Sequence, residues 1–385
     1  MQLRTSLSVV AGLGAAVALA PIGGHAVVPS AGADEAVITV RVGGDRVSGA
    51  ITDTGPAEDA FSPLAGARLG LFAAPSDRAP IAQPWATCTS DAEGDCSFAV
   101  PDTDVGGANR DASFTVGQLA APPGWSTIQT MGTVTPAGRG DTPYRFATGP
   151  ELRAGSTYSS RADFMYSPAT PATFHDATAS SGVSLMERDD PAVVDRCGLD
   201  IALIFATSTS AGSAQSQLIH AANSFVDALT GTRSRAAAFS SAALSPGAAS
   251  GPDRPALTSI ATRSGAQAFK QQYASWGPSA GTSWDRGLFE AASSGRHFDV
   301  AVVITDSNAD LYGDPEPARH TTRATRFKEL EYGIASANAL KARGTRVIGV
   351  AVGAGIDVGP LSGPTAYTGS NALEADRFEL ADFTA

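Results

Sequence analysis

The chain has 385 residues, a formal net charge of −11 and only 17% charged residues. This length is enough for two ordinary domains and a large buried core. An acidic chain with few charges argues against binding to nucleic acid or to an anionic membrane surface, because both attract basic proteins.

Residues 1–33 are predicted to be a signal peptide. Arg4 supplies a small positively charged region, Leu7 to Ala20 is apolar, and Ala31-Gly32-Ala33 is a small-x-small cleavage site. Cleavage after Ala26 is the alternative, and a short uncleaved anchor is the other interpretation. The apolar run is shorter than the ~20 residues that a membrane span needs. We therefore expect an exported, secreted or cell-surface protein with no membrane span after cleavage.

Residues 34–170 are predicted to be all-β. Val37 to Val42 alternates and is rich in β-branched residues, and Arg68 to Phe72 is a second alternating run. Thr87 to Phe98 has strand ends on both sides of an Asp/Gly turn, which predicts a hairpin. Phe114 to Val116 is a further strand candidate.

The chain has three cysteines. Cys88 and Cys96 stand on either side of the predicted turn in an exported chain, which predicts a disulfide across the hairpin. Cys197 is left over, and either a buried inert thiol or pairing outside this chain would explain it.

Three short motifs give the all-β part a family resemblance. They are Pro63-Leu64-Ala65-Gly66-Ala67, the turn Ser90 to Gly94 followed by Phe98, and Pro122-Pro123-Gly124-Trp125. They resemble the collagen-adhesin B-type (prealbumin-like) modules of bacterial surface proteins, which implies a β-sandwich. Many such modules carry a Lys–Asn isopeptide bond, but this chain has no lysine before Lys270, and the cysteine pair could staple the module instead.

After a predicted linker over residues 171–196, strands alternate with helices from 197 to 385. This alternation predicts a multidomain chain whose C-terminal part is a doubly wound, Rossmann-like α/β sheet. Only five residues follow the last strand, so we expect this domain to lack its closing helix. The predicted strands are 199–205, 235–244, 256–262, 298–305, 345–352 and 377–380, and the predicted helices are 218–229, 265–273, one that begins near 285, and 330–340.

Hydroxyl side chains follow the first of these strands, where open α/β sheets bind their ligands. Aligned on that strand, Ser208 and Ser210 resemble the serines of the D-x-S-x-S metal motif of von Willebrand factor type A (VWA) domains, and Ala206 stands at the motif aspartate. Thr282 and Asp306 stand where that family has its other two ligand loops.

The VWA resemblance implies adhesion or protein–protein recognition, in which Mg²⁺ or Mn²⁺ binds a carboxylate of an extracellular or cell-wall protein ligand. Because hard cations prefer anionic oxygen and Ala206 supplies none, we expect a degenerate site that binds metal weakly or not at all. Ser208, Ser210 and Thr282 could instead cap helices, and Asp306 could be a turn or cap residue. The domain would then be a metal-free scaffold.

The sequence does not favour an enzyme. The five histidines show no metal-ligand spacing, and there is no G-x-S-x-G or P-loop motif. A secreted serine hydrolase with a noncontiguous triad is a remote alternative, which would need a histidine beside a serine in a pocket.

Overall fold

The computed structural model describes residues 31–47, 60–149, 151–168, 173–192, 196–205, 214–241, 255–277, 281–313, 324–352 and 376–378. The protein is mixed α/β, with several separate sheets and fewer helices. No helix within these ranges is long and apolar enough to cross a membrane.

The N-terminal part is built from short strands around one long strand. That strand, β1, pairs with four others, and a second sheet is antiparallel, with the order β10-β6-β3-β4. Side chains from both sheets enter the same buried core. The strands are β1 (Ala36–Arg46), β2 (Phe61–Pro63), β3 (Arg68–Phe72), β4 (Thr87–Thr89), β5 (Asp95–Val100), β6 (Thr115–Ala120), β7 (Trp125–Ser126), β8 (Thr130–Thr135), β9 (Gly138–Pro143), β10 (Phe146–Ala147), β11 (Thr157–Ser159), β12 (Val183–Leu185) and β13 (Glu187–Arg188).

The predicted disulfide is confirmed, but the predicted hairpin around it is wrong. Cys88 and Cys96 are bonded, with their Cα atoms 5.5 Å apart. The turn forms, and Asp91 Oδ1 accepts hydrogen bonds from the backbone N–H groups of Glu93 (3.1 Å) and Asp95 (2.8 Å). Beyond the turn the strands separate, because β4 pairs with β3 whereas β5 pairs with β1. The disulfide therefore joins the two sheets.

Part of the stretch 171–196, expected to be a linker, belongs to the N-terminal sheets. Strand β12 pairs in parallel with β1, and β13 pairs with β7. The polar, Ser-rich composition of this stretch did not predict strands. Their partners lie more than 50 residues earlier in the chain, so the pairing could not be predicted from local sequence.

The C-terminal part is a six-stranded sheet with the order β16-β15-β14-β17-β18-β19. All its pairs are parallel except β15–β16. Its elements are β14 (Asp200–Phe205), α1 (Ala214–Leu229), β15 (Arg235–Ser240), β16 (Thr258–Ser259), α2 (Arg263–Tyr273), α3 (Trp284–Ser293), β17 (Val300–Thr305), α4 (Phe327–Lys341), β18 (Arg346–Ala351) and β19 (Asp376–Phe378).

The two faces of this sheet have different surroundings. Alternate residues of β14 point to opposite faces, as a pleated strand requires. Leu203 and Phe205 pack with side chains of α1 and α2. Ala202 and Ile204 belong to the other cluster, with Trp284 of α3, and this cluster is continuous with the core of the N-terminal part.

Helix α4 lies at the junction of the two parts and is buried almost all round. Its Glu331 carboxylate accepts hydrogen bonds from Tyr144 Oη (2.8 Å), Ser180 Oγ (2.7 Å) and the Ser181 backbone N–H (2.7 Å). Burial raises the pKa of Glu331, and these hydrogen bonds oppose the rise. All three donors come from the N-terminal part.

Asn338 of α4, two turns further along the same face of the helix, makes similar contacts. Its amide nitrogen donates to the backbone oxygens of Gly44 (3.1 Å) and Met186 (2.8 Å), and its Oδ1 accepts from the Arg188 backbone N–H (2.8 Å). Buried polar groups are tolerated when their hydrogen bonds are made. The α4 sequence is therefore matched to the N-terminal part as well as to its own sheet.

The disulfide gives the first prediction. We expect the double variant Cys88→Ser/Cys96→Ser to lose about 2–3 kcal/mol of unfolding free energy, because the closed loop is short and the bond acts mainly on the unfolded chain. Urea denaturation measures the loss, with Cys197→Ser as the matched control that keeps the bond. Equal stability of the double variant and the control would contradict the prediction.

The hydrogen bonds between α4 and the N-terminal part give the second prediction. Glu331→Ala removes the acceptor of the buried Ser180 hydroxyl and of the Ser181 backbone N–H, whereas Tyr144 Oη keeps the Val183 backbone oxygen as an acceptor at 3.2 Å. We therefore expect a loss on the order of 3 kcal/mol of unfolding free energy. Because the core is continuous, the whole thermal transition should move to lower temperature as one step, whereas Asp104→Ala, which alters an exposed carboxylate, should not move it. A variant that unfolds in two steps, with one part unaffected, would show that the parts unfold independently.

Candidate functional site

The candidate site lies at the carboxyl edge of the six-stranded sheet. The chain first adds β15 on one side of β14 and later adds β17, β18 and β19 on the other side. In open α/β sheets, ligands bind beyond the carboxyl ends of the strands at such a reversal of order. We therefore expect the residues that follow β14 and β17 to form any ligand site of this sheet.

Asp306 is the first residue after β17. The residue is only 8% exposed, and its Oδ1 atom is buried without a hydrogen-bond partner in the described residues. Burial raises the pKa of this carboxyl, and hydrogen bonds from its own backbone and from Ser307 oppose the rise. An ionised carboxylate here costs free energy that a bound cation would offset.

Thr282 lies beside the Asp306 loop. Its Oγ1 is 2.8 Å from Ser307 Oγ, and its backbone N–H donates to Asp310 Oδ1 at 2.6 Å. Gly281 precedes it with φ +89°, and a Cβ there would lie 2.4 Å from Leu311 Cδ1. The close approach of these two loops thus requires glycine at position 281.

Thr282 does not cap the helix that follows. Ser283 is the N-cap of α3, and its Oγ accepts from the Arg286 backbone N–H at 3.2 Å. Capping by Thr282, one of the alternatives for this residue, is therefore wrong. The Thr282 hydroxyl is directed to Ser307 instead.

Of the four predicted metal ligands, the structure brings Thr282 into contact with Ser307, the residue that follows Asp306. Ser208 and Ser210, together with Ala206, lie outside the described residues. Within the described ranges, no group of three or more His, Cys, Asp or Glu residues could hold a metal ion. Any ion at this edge would depend on hydroxyl and amide oxygens as well as carboxylates.

Sequence reasoning missed two polar residues of the β17 loop. Asn308 has a buried Oδ1 without a hydrogen-bond partner in the described residues, and Asp310 binds the backbone of Thr282. The spacing Asp306, Asn308 and Asp310 was visible in the sequence. The VWA resemblance includes only the residue that directly ends the strand, so it did not indicate Asn308 or Asp310.

The histidines and the free cysteine that the structure describes all lie at the surface. His175, His220 and His297 are exposed, whereas His25 and His320 lie outside the described residues. Cys197 is exposed as well. The expectation of a buried, inert thiol is therefore wrong, because the residue precedes β14 at the surface and not within the core.

No protein-family model matches this chain, and no curated protein matches it. Among solved structures it is similar to the pilus adhesin SpaC from Lactobacillus rhamnosus GG, with 12% identity over 43% of this chain and 25% of the adhesin and a TM-score of 0.29. It is also similar to proximal thread matrix protein 1 from the mussel byssus, with 18% identity over 43% of this chain and 38% of that chain and a TM-score of 0.28. A point mutant of the PilB minor pilin from Streptococcus sanguinis matches at 10% identity over 63% of this chain and 74% of that chain, with a TM-score of 0.26.

This chain thus spans about a quarter of the length of the pilus adhesin. Similarity at TM-scores below 0.5 does not establish a shared fold or function.

The buried carboxyl of Asp306 gives a prediction about pH. Because its pKa is raised in the folded state, the folded protein binds this proton more tightly than the unfolded chain, and stability falls as pH rises through the folded-state pKa. In EDTA at pH 7, Asp306→Asn should therefore raise the Tm, by roughly 2–4 °C if the charge costs about 1 kcal/mol.

The advantage of Asp306→Asn should disappear at low pH, where the wild-type carboxyl is protonated. Asp104→Asn at an exposed position is the matched control and should show no such dependence. A variant less stable than the wild type at pH 7 would mean that the Asp306 charge is favourably paired in the metal-free protein.

Proposed function

We propose that this chain is an exported or cell-surface protein with a VWA-type domain that acts in adhesion or protein–protein recognition. The observation that carries the proposal is the contact between Thr282 and Ser307, the residue next to Asp306, at the carboxyl edge of the sheet. The strand order, with its reversal at β14, also supports it. The VWA resemblance implies both this strand order and this placement of the threonine and aspartate loops.

The recognition site would use oxygen ligands from three loops. Ser208 and Ser210 after β14, Thr282 before α3 and Asp306 after β17 would hold Mg²⁺ or Mn²⁺, and a carboxylate of the protein ligand would complete the coordination. Ala206 removes one anionic ligand from this set, so the affinity for the ion would be low. The partner would be an extracellular or cell-wall protein.

The N-terminal part would be a collagen-adhesin B-like β-sandwich. Its two-sheet core and the disulfide between the sheets support this assignment. Its contacts with α4 mean that it would hold the VWA-type domain in a set orientation. The export signal over residues 1–33 is part of the same proposal.

A metal-free scaffold is the second candidate. The Thr282 hydroxyl is hydrogen-bonded to Ser307, so this threonine has a structural role without any ion. In that case recognition would depend on the surface of the domain alone.

A metal titration separates the two candidates. Bound ion stabilises the fold by RT ln(1 + [L]/Kd), about 2.7 kcal/mol at a 100-fold excess over Kd. We expect little change of the wild-type Tm in millimolar Mg²⁺ or Mn²⁺. Ala206→Asp restores a carboxylate and should show a clear rise that EDTA abolishes.

This titration has two controls. Ala206→Asn introduces a side chain of the same size as aspartate but without its charge. Ala206→Asp/Asp306→Ala keeps the new carboxylate at position 206 and removes the one at position 306. Neither should respond. A metal response in Ala206→Asp that survives loss of Asp306 would contradict the assigned ligand set. If Ala206→Asp itself does not respond, the scaffold function is correct.

A further inference from the structure

The ribbon of β8 and β9 carries a charged tripeptide that takes no part in the candidate site. Strand β9 begins Gly138-Arg139-Gly140-Asp141, and it pairs with β8 in antiparallel register along its whole length. Among the described residues, β9 has no strand on its other side, since this sheet has only two strands. The tripeptide Arg139-Gly140-Asp141 therefore lies in an extended conformation at an open edge.

One face of this ribbon is packed, and Asp141 belongs to the other face. Met131 and Thr133 of β8 are buried, and the Thr133 hydroxyl is 2.7 Å from the Thr142 hydroxyl on the same face. Successive residues of a strand point to opposite faces, so positions 139 and 141 share the face away from Met131. The Asp141 side chain is exposed there.

Gly140 is not required by the packing of this chain. The residue is exposed, a Cβ built on it would meet no atom within 4 Å, and its φ is outside the left-handed region that favours glycine. A glycine with no steric reason inside the described part of the chain leaves room for another molecule to approach the backbone closely.

The ribbon is held by the rest of the protein. Val134, which pairs with Arg139, exchanges two backbone hydrogen bonds of 2.8 Å with Thr325. Tyr144, the residue after β9, is buried and donates to Glu331 of α4. A partner would therefore meet a strand whose backbone is already ordered, which reduces the entropy lost on binding.

We propose that Arg139-Gly140-Asp141 is a docking motif for a receptor whose site combines a divalent cation with an acidic pocket. The Asp141 carboxylate would complete the coordination of the receptor's cation, because hard cations take carboxylate oxygens. The Arg139 guanidinium would form a bidentate pair with a carboxylate of the receptor. Alternate residues of an extended strand are only about 7 Å apart, so one receptor site can take both groups.

This inference uses none of the residues of the proposed recognition site. There, the chain holds the ion and its ligand supplies the carboxylate, whereas here the chain supplies the carboxylate and the receptor holds the ion. The inference does rest on the proposed export of the chain, because such a receptor would lie on the surface of another cell. Binding by the purified protein tests the motif, and the N-terminal residue of the secreted protein tests export.

The test measures binding of the purified full chain to the ectodomain of an integrin that binds Arg-Gly-Asp peptides, which is the probe for this kind of receptor site. We expect saturable binding in Mg²⁺ that EDTA abolishes. The free peptide Gly-Arg-Gly-Asp-Thr-Pro, which is the sequence of β9, should displace the protein. Asp141→Ala should weaken binding at least ~10-fold, because it removes the group that contacts the cation.

Two further variants distinguish a specific site from a general attraction between charges. Asp141→Glu keeps the charge but moves the carboxylate by one methylene group, and Gly140→Ala fills space that is open in this chain. Both should keep the wild-type Tm and weaken binding at least ~10-fold, because the cation and the close backbone approach fix the geometry. Asp104→Ala, which removes another exposed carboxylate, is the matched control and should bind as the wild type does.

A wild type that shows no saturable binding overturns the proposal. So does binding that the peptide fails to displace, or binding that Asp141→Glu and Gly140→Ala leave unchanged. If one of these variants does not fold, Arg139→Lys decides, because it keeps the positive charge and loses the bidentate pair. The Mg²⁺ response of Ala206→Asp tests the recognition site alone, since β9 takes no part in it.

Discussion

The burial of helix α4 on both sides is the constraint on which the rest of the structure depends. An amphipathic helix of an α/β domain covers its own sheet and leaves its other face to water. Here that other face meets the N-terminal strands, and Glu331 and Asn338 find their hydrogen-bond partners there. Neither part can satisfy these side chains alone, so the two parts share one core.

One carboxylate connects this junction with the candidate site. Asp285 of α3 forms a fully buried ion pair with Arg46 of β1 and accepts hydrogen bonds from Ser336 Oγ (2.5 Å) and the Gly313 backbone N–H (2.7 Å). Gly313 ends the described part of the loop that begins at Asp306. Breaking a buried pair leaves an uncompensated charge, which makes such contacts costly to open. The position of the loop is thus tied to the N-terminal part as well as to the sheet.

The candidate site contains residues that the sequence predicted and others that it did not. Thr282 and Asp306 were predicted to lie together from a family resemblance, and the structure brings Thr282 to the residue next to Asp306. The resemblance did not indicate Asn308 or Asp310, although both follow Asp306 at regular spacing. Their significance depends on whether their oxygens find donors, which is a property of the folded loop. That Asn308 Oδ1 has no hydrogen-bond partner among the described residues could not be predicted from its neighbours in the chain.

The sequence by itself determined the local elements. Apolar runs predicted strands at the positions of β14 and β17, helical periodicity predicted α1 and α4, and the Asp/Gly turn predicted the contact between Cys88 and Cys96. Only the tertiary structure decided which strands pair. Strands β4 and β5 belong to different sheets, and β12, in the expected linker, pairs with β1. The reason is physical: periodicity and turns act between near neighbours, whereas strand pairing and the burial of α4 depend on residues far apart in the chain.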